Sequence, residues 1–159
     1  MDRVRDAQVI RLIERIGEHY RANISNRFLR PILLQLQIDK SIWDQVELLT
    51  EKVETFNYLG FHLDELYRQI AACARLVEVA RNGIPSLRSK LNSSKEGPDK
   101  IFREMAASNL LSNLQVFADL LNELYLILVD LDKSSAADNP PIYTQIPELY
   151  GIGRFLVGS

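Results

Sequence analysis

Two stretches have residue types and spacing that resemble metal chemistry: His62-Leu63-Asp64-Glu65 and Asp130-Leu131-Asp132. The first looks like half of a metal site, but a di-iron bundle needs glutamates plus Glu-x-x-His pairs on facing helices. Glu51 and Glu54 lack such a histidine, and the register of the surrounding apolar repeat turns His62 and Glu65 away from the core. His62 therefore reads as a solvated surface histidine. The second stretch has the spacing of the first two ligands of a calcium loop. Position six would be Ser135 where the sharp turn needs glycine, and position twelve would be Pro141 where a bidentate glutamate is required. No Gly-rich phosphate loop, nucleophile elbow or Cys/His/Asp set with catalytic spacing occurs elsewhere. His19, next to Glu18 beside the apolar face of the first helix, makes no better a ligand than His62, and Cys73, flanking Ala74, reads as a packed thiol. The expectation is a non-enzyme with no catalytic residues, no metal and no cofactor.

Other residues suit binding better than catalysis. Asp44, Glu47, Glu51 and Glu54 form an acidic stripe on one helix face, which Tyr58 and Phe61 continue beside Gly60. The plain reading is a solvated face whose aromatics the chain itself covers. The sharper reading makes Tyr58 and Phe61 a contact patch for a partner protein, because exposed aromatics anchor interfaces. Leu126 and Val129 lie outward in the apolar run Leu124 to Val129, and need covering by the tail or by another subunit. In the tail, Pro140-Pro141-Ile142-Tyr143 matches the Pro-Pro-x-Tyr pattern of WW-domain ligands, read as a polyproline II segment. Tyr143-Thr-Gln-Ile146 also fits a Tyr-x-x-apolar sorting signal. Their apolar neighbours, such as Leu149, Ile152 and Phe155, favour a packed tail over a free ligand. Arg81, Arg88, Lys90, Lys95 and Lys100 cluster without interleaved aromatics in an acidic chain, so nucleic acid is not an expected partner.

Helical periodicity has to position all of these. Val9, Ile13, Ile16 and Tyr20 share one face of a helix expected from about Asp2 to Asn23. Pro31 suits the first turn of a short helix from about Asn26 to Gln37. The alternation Leu34-Gln35-Leu36-Gln37-Ile38 would also suit a strand, but nothing else in the chain could pair with it. Beyond Ser41, read as an N-cap, apolar positions step by four and three from Ile42 through Val46, Leu49, Phe56 and Leu63 to Val77, with Gly60 as the one exception. The register predicts one helix from Ile42 to about Arg81, ended by Asn82-Gly83-Ile84-Pro85. Ser86 to Pro98 reads as a polar loop.

Pro98 should open a last helix, from Asp99 to Leu131, with a core line of Ala107, Leu110, Leu114, Phe117, Leu121, Leu124, Leu128 and Leu131. Apolar flanks such as Leu111, Ala118 and Tyr125 make its buried face wide, which predicts a central helix with several neighbours. Periodicity is lost after Asp132. The expected fold is all-α: an elongated antiparallel bundle of three to four helices, two of them long and heptad-like. Residues 1–132 form the bundle, and residues 133–159 form an extended tail packed on it or awaiting a partner.

Composition agrees. The chain has 159 residues, 47% hydrophobic and 25% charged, with formal charge −2 and few Gly, Pro, Cys or His. These are the proportions of one soluble globular domain. The single Cys73 excludes an internal disulfide, and the charged N-terminus lacks the apolar core of a signal peptide, so a cytoplasmic location is expected. The function expected is a non-enzymatic protein–protein interaction module: an adaptor, assembly subunit or chaperone-like binder, self-associating or in a hetero-complex. The alternative is a bundle that encloses an apolar small molecule or lipid among Phe56, Tyr67, Phe117 and Tyr125.

Overall fold

A computed structural model describes residues 3–27, 29–51, 63–94, 98–135 and 140–152. Among these residues the structure is all-helical: α1 (Arg3–Ile24), α2 (Arg30–Gln35), α3 (Lys40–Glu51), α4 (Leu63–Ser94) and α5 (Pro98–Ser135), then 3₁₀ turns at Ile142–Gln145 and Pro147–Leu149. Helix α5 packs against α4 and α1, and α3 packs against the same two helices. The apolar periodicity is the cause. Val9, Ile13, Ile16 and Tyr20 of α1 are all buried, and so is every residue of the expected α5 core line. Burying such side chains, each about 1.5–3 kcal/mol, outweighs the weak intrinsic preference of any one helix. No helix among the described residues is long and apolar enough to cross a membrane.

Four expectations are corrected. The helix ending expected at Asn82-Gly83-Ile84-Pro85 does not occur, and α4 runs through Pro85 to Ser94. The same stretch removes most of the polar loop expected from Ser86 to Pro98. A proline inside a helix costs about 3 kcal/mol, but here tertiary packing dominates. Ile84 is fully buried, and Pro85 faces outward. Gly83 serves a close approach: a Cβ there would stand 2.6 Å from the Leu36 side chain that follows α2. Its lack of a side chain seats Leu36 on α4 and does not end the helix. The N-cap expected at Ser41 is replaced by Asp39, whose carboxylate accepts from the Ser41 N–H at 3.0 Å. The single helix expected from Ile42 to Arg81 is overturned as well: α3, up to Glu51, and α4, from Leu63, pack against each other, which two successive lengths of one straight helix cannot do. Gly60 and Phe56 themselves lie outside the described residues.

The short helix α2 is set up by Asn26, whose side-chain oxygen accepts from the Leu29 N–H at 3.2 Å, and by Pro31 in its first turn. It packs on α1 and α4 through Leu29, Ile32, Leu33 and Leu36. The tail lies on the helices as two tight turns, with Ile146, Leu149 and Ile152 buried. Within it Gly151 has φ +80°, a conformation that glycine adopts without strain.

Candidate functional site

At the meeting of the five helices, the rings of His19 and Phe117 stack with centroids 6.3 Å apart, and Tyr20 tilts against Trp43 at the same distance. His19 is half-buried and contacts the Asn113 carbonyl through Nε2 at 2.7 Å, so its tautomer carries the proton on Nε2. Asn113 donates to Asn23 Oδ1 at 2.7 Å, and Asn23 donates to the His19 carbonyl at 2.8 Å. This network ties α1 to α5. The cleft beside it holds about 20 Å³ of free space, room for one water, with almost wholly apolar walls. The core at this place therefore offers no support for a bound lipid. Tyr67, the second aromatic expected to enclose such a ligand, is fully buried and packs edge-on against Tyr125.

Tyr20 donates to Glu47 at 3.0 Å, which uses one carboxylate of the acidic stripe. Burial, reinforced by that hydrogen bond, pushes the Tyr20 phenol above its ordinary range, and burial pushes the Cys73 thiol up in the same way. Both groups are held protonated in the folded chain. The stability linked to them is fully present below their unfolded values, about pH 8.5 for a thiol and about pH 10 for a phenol, and is lost as pH rises past those values. The melting temperature should therefore hold steady up to about pH 8 and fall above about pH 9. Cys73 should react with a thiol reagent only as fast as the chain unfolds. Rapid labelling at neutral pH would contradict this assignment.

Among the described residues, no group of three His, Cys, Asp or Glu side chains is placed to hold a metal ion. Of the Asp130-Leu131-Asp132 stretch, Asp130 faces solvent, whereas Asp132 is only 3% exposed. Asp132 accepts three hydrogen bonds: from the Tyr67 hydroxyl at 2.9 Å, the Ile142 N–H at 3.0 Å and the Tyr143 N–H at 2.9 Å. A carboxylate at the C-terminal end of a helix opposes the macrodipole. Here it instead satisfies the free N–H groups that begin the tail's first 3₁₀ turn. Sequence reasoning gave Asp132 no such role, because its partners lie ten, eleven and sixty-five residues away.

The expected binding residues are placed as follows. Tyr58 and Phe61 lie outside the described residues. Leu126 is 56% exposed, while Val129 packs half-buried against the core. Pro140 is exposed, Pro141 half-buried, and Tyr143 half-buried with the Lys133 ammonium 5.8 Å from its ring centroid.

A larger apolar surface was not foreseen. Ile101 and Phe102 are each 62% exposed and Met105 is 56% exposed, all near the start of α5. Phe102 and Met105 border an open groove of about 390 Å³, together with Leu29, Ala106, Asn26 and Asn109. The signal was present in the sequence, since these three side chains fall off the line that runs from Ala107 to Leu131. No protein-family model, curated protein or solved structure matches this chain.

Proposed function

We propose that the chain is a non-enzymatic protein–protein interaction module, an assembly subunit or adaptor built as an elongated antiparallel bundle. The observation that carries this reading is the exposed strip Ile101, Phe102 and Met105, of which Phe102 and Met105 border the groove by Leu29. Large apolar side chains on a surface lose free energy in water and gain it against another apolar surface, at roughly 25 cal/mol per Å². The occupant that fits is a second copy of the chain. No described residue lining the groove is charged, and the whole chain carries only −2, so two copies can meet here without repulsion.

Sedimentation velocity over a concentration series tests the reading. The chain is expected to dimerise reversibly, and the double variant Phe102→Asp, Met105→Glu is expected to stay monomeric with an unchanged helical spectrum. Both positions are exposed, so the variant monomer should keep its stability to within about 0.5 kcal/mol. A wild-type chain that remains monomeric to its solubility limit, or a double variant that still dimerises, would overturn the proposal.

A further inference from the structure

We infer that Pro140-Pro141-Ile142-Tyr143 is a binding site for a polyproline-reading partner of the WW class, and that Asp132 is the latch that keeps it closed. The inference is independent of the strip on α5, because it concerns the opposite end of that helix. A WW-type groove reads its ligand as polyproline II, a left-handed helix that advances about 3.1 Å per residue. Pro141 has φ −55° and ψ 145°, which belongs to that conformation. The next four residues do not continue it: Ile142–Gln145 wind into a 3₁₀ turn, right-handed and advancing about 2 Å per residue. The Tyr143 ring is thereby drawn back and rotated from the place a polyproline-reading groove requires. It is also half-buried, with the Lys133 ammonium above its face.

The turn is held from outside itself. Its first two N–H groups, Ile142 and Tyr143, point at the two oxygens of Asp132, and the Tyr67 hydroxyl fixes that carboxylate from below. The far end is anchored by Ile146 and Leu149 in the core, and by the Tyr150 hydroxyl donating to the Thr144 carbonyl at 3.1 Å. Pro140 itself is exposed, so core packing does not explain why a proline stands there. Two adjacent prolines reduce the entropy lost on binding an extended-chain reader. The docked and released tails are then two states of one segment. A partner that reads only the released state binds with an affinity lowered by the released fraction.

The test uses the full chain and a WW domain of the Pro-Pro-x-Tyr-reading class, with a synthetic peptide of residues 138–147 as the fully released reference. The peptide is expected to bind, and the wild-type chain to bind at least about tenfold more weakly, equivalent to about 1.4 kcal/mol of docking. Asp132→Asn puts an amide N–H₂ where the turn needs an acceptor, and Leu149→Ser loosens the tail from its other end. Each variant is expected to move the chain's affinity toward that of the peptide. Hydrogen exchange of the wild-type Ile142 and Tyr143 amides supplies a readout free of any variant, and both should be protected relative to the peptide. The inference is overturned if the peptide does not bind, if the wild-type chain binds as tightly as the peptide, if neither variant gains affinity, or if those two amides exchange as they do in the peptide.

Discussion

Replacing Phe117 by alanine is expected to cost about 3–5 kcal/mol of stability, within the range for deleting a buried aromatic side chain. The reason is position as well as size. Phe117 is buried on α5 under the His19 ring, and the walls of its site come from all five helices: His19 and Tyr20, Leu33, Trp43, Leu76 and Leu110. The adjoining space of about 20 Å³ would merge with the volume of the lost phenyl, and no single neighbour is free to move in and fill it. For a chain of this length the melting temperature should drop by roughly 6–20 °C. Phe117→Leu, which keeps most of the volume, should cost less than about 1.5 kcal/mol. Thermal unfolding followed by circular dichroism checks both values. A cost below about 1 kcal/mol for the alanine variant would mean that the helices collapse onto the gap, and that the site is not the shared core described above.

Tyr67→Phe should cost about 1–3 kcal/mol, although only one oxygen is removed. Tyr67 is fully buried, and its hydroxyl both donates to Asp132 and lies 3.1 Å from the Leu128 carbonyl. Phenylalanine would fill the same space and keep the edge-on contact with Tyr125. What it loses is one of three donors to a carboxylate that is 3% exposed, and a buried charge left short of partners is costly. The loss should be smaller in an Asp132→Asn background, with a coupling of at least about 0.5 kcal/mol in a double-mutant cycle. Strict additivity would show that Tyr67 and Asp132 do not act as one unit.

Some of this was readable along the chain. Val9, Ile13, Ile16 and Tyr20, and the α5 line from Ala107 to Leu131, are buried as their spacing predicts. A helix repeats every 3.6 residues whatever it packs on, so the apolar face is a local property. Pro98 was legible as a helix start for the same reason, because its missing N–H costs nothing in the first turn. Gly83 and Pro85 misled because local stop signals weigh a few kcal/mol, and the burial of Ile84 beside the seat of Leu36 outweighs them.

The sequence by itself determined an all-helical chain, the core faces of α1 and α5, and the lack of recognisable catalytic or metal-binding spacing. Only the tertiary structure decided which apolar residues stay uncovered and which polar ones are buried. Ile101, Phe102 and Met105 protrude because α5 presents that face where no described neighbour covers it, while Leu34 and Leu126 are likewise left exposed and Val129 is half-covered. Asp132, which looks from its neighbours like a solvated acid at a helix end, becomes the most connected carboxylate in the tail's attachment. Periodicity is set by bonds between residues three and four apart. Exposure and hydrogen-bond partners are set by which distant segments arrive at the same place, and no spacing within one helix encodes that arrival.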